Sequence, residues 1–112
     1  MKTFKSRLES RGFNVEAREA KYRSIYGDTV TRGRIVATSR DGLVKVSIEE
    51  ERSGLRVTVH MFQSKANEAN ARAMENAGAS VDLDEGERMI AVFKNLDQAA
   101  ARKIIDEVSG RA

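Results

Sequence analysis

The chain contains no cysteine, no proline and no tryptophan, and each absence narrows what the protein can be. Without cysteine it can form neither a disulfide framework nor a thiolate metal site. Without proline it has no proline-rich ligand segment or linker, so we expect a chain that is compact throughout. Aromatic residues make up only 5% of the 112 residues, so the core must consist mainly of Val, Ile, Leu, Ala and Met.

Long hydrophobic runs are also missing. No apolar stretch approaches the ~20 residues that a membrane-spanning helix needs. The N-terminal sequence Met1-Lys2-Thr3-Phe4-Lys5 has no apolar segment after its lysines, which argues against a secretory signal. We therefore expect a soluble cytoplasmic protein without a membrane partner. A chain of 112 residues has the size of one domain, so we predict a single domain over residues 1–112.

Charge is abundant and unevenly distributed along the chain. Charged residues make up 33% of the sequence, and the net charge is +3. Residues 1–40 hold ten Lys or Arg but only four Asp or Glu, so this third of the chain is net +6 and the remainder is net −3. Such asymmetry suits an anionic partner, although the mixed charge of an ordinary soluble domain is the alternative interpretation.

The segment from Thr29 to Phe62 has the pattern of three short strands joined by two tight turns. Asp41-Gly42 and Ser53-Gly54 mark the turns, because such pairs tolerate the positive φ of tight hairpins. Leu43 to Ile48 and Leu55 to Met61 alternate apolar and polar residues, which is the period of a half-buried strand. The sequence therefore predicts an antiparallel meander with one buried face and one face in water.

Residues 13–28 are ambiguous. Phe13 to Ala17 alternate as in a strand, but the pattern slips by one residue at Ala20 and Tyr22. A helix would instead place Val15, Tyr22 and Tyr26 on one face. We favour an edge strand joined to the meander, with a bulge as one explanation of the slip.

Three segments have the pattern of helices. The first covers residues 3–11, capped by Thr3 and ended by Gly12, and the second covers about Lys65 to Ala77, capped by Ser64. The third follows a cap at Asp97. The predicted buried stripe of the second helix is Ala66, Ala69, Ala73 and Ala77, and that of the third is Ala101, Ile104, Ile105 and Val108.

A C-terminal hairpin completes the predicted sheet. Ala79 to Leu83 and Met89 to Phe93 are its strands, and the acidic run Asp82 to Glu87 contains its turn. This run lacks the glycine and glutamate spacing of a calcium loop, so a solvated turn is the better interpretation. The element order α-(β)-β-β-β-α-β-β-α predicts an α+β fold in which an antiparallel sheet of about five strands packs on helices as a two-layer sandwich.

No motif points to catalysis. The sequence has no G-x-G-x-x-G, no G-x-x-x-x-G-K and no G-x-S-x-G, and its one histidine, His60, cannot build the usual zinc site without cysteine. We therefore predict no catalytic residue, no metal site and no cofactor, and we expect a binding protein rather than an enzyme.

The solvent face of the meander is the candidate binding surface. Basic groups at strand spacing can meet successive phosphates, and aromatic rings can stack on unpaired bases. A second basic group alternates with Tyr22 and Tyr26. The predicted DNA- or RNA-contacting residues are Arg32, Arg34, Lys45, Arg56, His60 and Phe62 on the sheet, with Arg18, Lys21 and Arg23 from the preceding segment.

An alternative function uses different features of the same chain. A free sheet edge and an alanine-rich helix would suit a chaperone- or adaptor-like domain that binds another protein or forms a homodimer. An ordinary solvated sheet face with cross-strand charge pairs accounts for the basic residues in that case.

Overall fold

The computed structural model describes the backbone of all 112 residues and every side chain except that of Ala20. The helices are α1 (Lys2–Ser10), α2 (Glu68–Asn76) and α3 (Gln98–Ser109), and a short 3-10 turn (Gln63–Lys65) precedes α2. The strands are β1 (Asn14–Arg23), β2 (Thr29–Thr38), β3 (Val44–Glu51), β4 (Gly54–Phe62), β5 (Ser80–Asp84) and β6 (Arg88–Leu96). This order confirms the predicted α+β fold, and the sixth strand is the ambiguous segment that precedes the meander.

The six strands form one antiparallel sheet with the order β1-β2-β3-β4-β6-β5. The first four strands follow one another as a meander. After β4 the chain passes through α2 to the far edge, runs along β5 and returns as β6 beside β4. The expected edge position of the first strand is confirmed, since β1 and β5 are the two edges.

Only one face of this sheet is buried, and we call it the inner face. Strand residues on this face alternate with exposed or half-buried ones, and all three helices contact the sheet. The fully buried inner-face residues are Ile35, Ala37, Val44, Val46, Ile48, Val57, Val59, Met61, Met89, Ala91 and Phe93. The two-layer arrangement that the alternation predicted is therefore present, and the opposite, outer face is left open.

The first and last helices follow their predicted stripes. Phe4 and Leu8 of α1 are buried, and so are all four predicted residues of α3. The Asp97 carboxylate accepts a hydrogen bond from the Ala100 amide at 2.8 Å, as a cap should. The predicted Thr3 cap is wrong, because the Lys5 amide already donates to the Met1 carbonyl and the helix begins at Lys2.

The second helix differs from its prediction in both start and face. Its cap is Asn67, whose side chain accepts from the Asn70 amide, because the 3-10 turn keeps Ser64 out of the helix. Ala69 and Ala77 are exposed, whereas Asn70, Ala71 and Met74 are buried. Asn70 tolerates burial because its amide donates to the Lys65 carbonyl at 2.8 Å and accepts from Arg111 at 3.1 Å.

The β1–β2 hairpin extends beyond the rest of the sheet. Pairing between β2 and β3 ends at Arg34 opposite Glu49, and the next amide, that of Gly33, donates instead to the Glu50 carboxylate at 2.9 Å. A Cβ at residue 33 would collide with that carboxylate, so glycine allows the contact. Residues 19–33 therefore form a two-stranded arm, and we use this name below.

The arm also explains the slip in hydrophobic pattern. Register between β1 and β2 is continuous from Asn14 opposite Thr38 to Arg23 opposite Thr29, so the proposed bulge is absent from this described ladder. Tyr22 lies on the outer face and is exposed. In the described part of the structure, no helix packs on the inner face of the arm, so its apolar residues need not point to that face. The side chain of Ala20 lies outside the described part of the structure.

An ionic cluster joins the first and last helices. The Arg7 guanidinium donates two hydrogen bonds to the Asp106 carboxylate, at 2.9 and 2.8 Å, and Arg11 pairs with the same group at 2.6 Å. Arg7 is the main cause of a pKa of Asp106 below its ordinary value of 3.8. The cluster links two helices that are nearly one hundred residues apart in the chain.

We expect Asp106→Asn to lower stability at neutral pH and to lose this effect in acid. The folded pKa of Asp106 lies below the unfolded one. The carboxylate therefore contributes to the free energy of unfolding above pH 3.8, and this contribution disappears as the pH falls through the folded pKa. Denaturant unfolding of both proteins at neutral pH and at about pH 3 measures this. Glu107→Gln, which removes the ion pair with Arg111 just beyond the end of α3 and leaves Arg7 and Arg11 untouched, is the control. An equal difference at both pH values would contradict the prediction.

Candidate nucleic-acid interface

The outer face of the sheet brings together basic and aromatic side chains from five of the six strands. Because side chains alternate along each strand and the register is known, the cross-strand pairs on this face can be assigned. Arg18 faces Arg34, Lys45 faces His60, and Phe62 faces Arg88. Residues from β1, β2, β3, β4 and β6, far apart in the sequence, thus meet on one surface.

A shallow recess of about 230 Å³ lies in the middle of this face. Its floor consists of small or apolar side chains, including Ser47, which is only 8% exposed. The residues that line it are Arg18, Arg34, Val36, Lys45, Ser47, His60 and Phe62. Five of the nine predicted contact residues therefore line one recess.

His60 and Phe62 form the aromatic part of the recess. Their rings stack with centroids 6.2 Å apart and planes inclined by 17°. The pKa of His60 lies below its ordinary value of 6.5, first because the imidazole is partly buried and then because Arg88 and Lys45 are close. Partial burial and the nearby positive charges therefore both favour the neutral form of the imidazole.

The cations of the outer face fall into two groups. Arg34 lies 3.6 Å from Glu49, and Arg18 lies 2.8 Å from Glu16. Among the described residues, no carboxylate comes within 4.0 Å of the charged nitrogens of Lys45 or Arg88. Lys45 and Arg88 are therefore free to meet a ligand beside His60, and the same criterion leaves Arg32 and Arg56 free elsewhere on this face.

The remaining predicted residues lie at different distances from the recess. Arg56 is on the outer face opposite Glu49, and Arg32 is on the arm with its guanidinium 5.9 Å from the centre of the Tyr22 ring. Lys21 and Arg23 are adjacent to Tyr22 in the sequence but lie on the opposite face of the arm, because successive strand residues point to opposite sides. The second predicted group is thus divided between two faces.

Arg88 was missed in the sequence prediction. It is the first residue of β6, and Ile90 and Val92 share its face. The alternation of Arg88, Ile90 and Val92 was visible in the sequence, but the pairing of β6 with β4 was not. Only that pairing places Arg88 beside Phe62.

The acidic run Asp82 to Glu87 begins in β5 and contains the predicted hairpin turn between β5 and β6. Gly86 has a φ of 78°, and the Gly86 amide donates to the Ala66 carbonyl at 2.8 Å. Asp82 and Asp84 lie on the outer face of β5, which is an edge strand of the sheet. Within the described residues, no group of three or more His, Asp or Glu side chains could hold a metal ion.

Comparisons with protein-family models, with curated proteins and with solved structures gave no match for this chain. Within the described residues, none of the helices is both long and apolar enough to cross a membrane. The candidate site must therefore be judged on its own geometry.

A second concave surface lies between α2 and α3. This groove has a volume of about 520 Å³, and its apolar lining includes Ala73, Ala77, Leu96, Ala100 and Ile104. Part of the predicted alanine stripe therefore lines a groove between helices instead of packing on the sheet. Lys103, Glu107 and Arg111 give the groove a mixed charge.

We expect His60 to titrate below pH 6.5 in the free protein. Removing a neighbouring cation by Arg88→Gln should raise the pKa, because protonating the imidazole then meets less repulsion. Since the folded pKa lies below the unfolded one, His60 lowers stability as the pH falls from 6.5 towards the folded value. NMR titration of the only imidazole measures the pKa. Arg72→Gln on α2 is the control, and a wild-type value at or above 6.5 would refute the prediction.

Proposed function

We propose that this chain is a non-enzymatic nucleic-acid-binding domain that holds its ligand on the outer face of the sheet. The observation that carries the proposal is the recess in which Lys45 and Arg34 lie with the stacked His60 and Phe62 rings, together with Arg88, which faces Phe62 on the neighbouring strand. Cations next to partly exposed rings can bind a phosphate while the rings stack on a base at the same place.

The ion pairs of this face do not prevent phosphate binding. The Arg34 and Glu49 side chains are 44% and 35% exposed, so water and salt screen their attraction. An exposed pair of this kind contributes little to stability, and the guanidinium can turn to a phosphate without a large cost. Arg34 and Arg18 therefore add their positive charge to that of Lys45 and Arg88 when a polyanion binds.

Negative side chains limit the site at one edge. Asp82 and Asp84 lie on β5, beyond β6, and would repel phosphate there. A ligand on the recess is consequently directed away from β5, towards β3, β2 and β1. The face has a positive side and a negative side, which gives a bound strand a preferred position.

Neutralising Lys45 and Arg88 tests the proposal. Binding of a labelled oligo(dT) of about twelve nucleotides, measured by fluorescence anisotropy, should weaken as salt rises from roughly 50 to 200 mM. The double variant Lys45→Gln, Arg88→Gln should bind more weakly. If each cation neutralises one phosphate, the slope of log K against log salt should fall by about 1.4.

The matched control removes the same charge from the helical layer. Arg72 and Lys103 are exposed on α2 and α3, so Arg72→Gln, Lys103→Gln has the net charge of the test variant. It should keep the wild-type slope. An equal loss of oligo(dT) affinity in both variants would show that binding depends only on overall charge, and the recess would be excluded as the site. If the wild type bound no oligo(dT) even at low salt, the proposed function would be rejected.

A second candidate function is self-association through the sheet edge. The observation in its favour is that β1 is an edge strand, so a row of its backbone groups faces away from β2 and is free to pair with another strand. This function predicts a dimer that persists at high salt, unlike binding to nucleic acid. Sedimentation equilibrium with high and low salt distinguishes them, and a monomer at every concentration would exclude this candidate.

A further inference from the structure

The arm projects large apolar side chains into solvent. Ile25 is 93% exposed, Tyr26 85% and Tyr22 53%, although bulky side chains of this kind are usually buried at least in part. Tyr26 and Ile25 lie in the turn, which the Ser24 amide closes by donating to the Asp28 carbonyl at 2.8 Å. The turn at the end of the arm therefore exposes the large side chains of Ile25 and Tyr26 to solvent.

Tyr22 lies on the same face of the sheet as the recess. It faces Val30 across the ladder, and both belong to the outer face together with Arg32 and Arg34. The Arg32 guanidinium lies 5.9 Å from the centre of the Tyr22 ring, within the range of a cation–π contact. The Tyr22 ring thus has a cation over it, and His60 in the recess has Arg88 and Lys45 nearby.

The arginines of β2 connect the two aromatic groups. Arg34 lines the recess, and Arg32, two residues further on the same face, contacts Tyr22. A path with aromatic rings at both ends and cations between them therefore runs from Phe62 and His60 along β2 to the arm. Its charge is complementary to a phosphate backbone, and its rings are complementary to bases.

The length of this path follows from strand geometry. His60 is level with Lys45 and Thr38, whereas Tyr22 is level with Val30 at the other end of β2. Along the strand this is roughly 26 Å, and with three strand spacings sideways the direct separation is about 30 Å. At the ~3.4 Å spacing of a duplex strand the path would hold about nine nucleotides, and this is an upper limit, because a strand with unstacked bases is more extended.

We infer that the arm is the second half of a single-strand binding path, in which Tyr22 and Tyr26 stack on unpaired bases beyond the recess. The inference rests on the proposed function and specifies its ligand as single-stranded nucleic acid that is long enough to reach from the recess to the arm. A duplex does not suit the path, because its bases are already stacked on one another and their faces are not free.

The test compares oligo(dT) of about four and about twelve nucleotides, which are shorter and longer than the path. The wild type should bind the longer probe more tightly. Tyr22→Ala, Tyr26→Ala should lose at least about fivefold affinity for the longer probe, the lower limit for loss of one stacked base, and keep wild-type affinity for the shorter one. Tyr22→Phe, Tyr26→Phe keeps both rings and should bind both probes as the wild type does.

Other outcomes separate this inference from the proposed function. If the alanine variant bound both probes like the wild type, the arm would be excluded and the recess would stand. Tighter binding of a duplex of the same length would overturn the single-strand ligand. Failure of the wild type to bind any probe at low salt would reject both. A wild type that dimerises, with an alanine variant that stays monomeric, would assign the arm to self-association.

Discussion

An antiparallel sheet that buries one face must carry apolar side chains on that face and polar side chains on the other, alternating along every strand. This requirement determines how the residues of the whole molecule are arranged. Val46, Val59 and Ala91 pack under the helices from neighbouring strands, so their register is fixed by the core. A slip of one residue would move these side chains into water. The same register determines which residues share the outer face, so the packing of the core positions the recess.

Much of the fold followed from local patterns in the sequence. Asp97 caps α3 and its stripe is buried, because both signals lie within a few residues of each other. Gly42 has the positive φ that the turn after Asp41 required, and the side chain of Asp41 accepts from the Leu43 amide. Period-two alternation also gave the inner and outer faces of β3 and β4 correctly.

The errors arose where the signal was weak or not local. Alanine at every third or fourth position does not define a buried face, since its transfer free energy is small, and in α2 the larger Met74 determines the face instead. Arg88 could not be placed beside Phe62, because the pairing of β6 with β4 depends on contacts across the whole sheet. Lys21 and Arg23 could have been separated from Tyr22 by strand periodicity alone, once the segment was taken as a strand.

The contact between Gly33 and Glu50 divides the sheet into two mechanical parts. On one side, each strand is held by helices and neighbours, while on the other the ladder joins β1 and β2 alone. A two-stranded ribbon has marginal stability of its own, so the arm can open locally while the core stays folded. Insertions or deletions in this ribbon leave the register of β3, β4 and β6 intact. The arm can therefore vary in length during evolution without a rebuilding of the core.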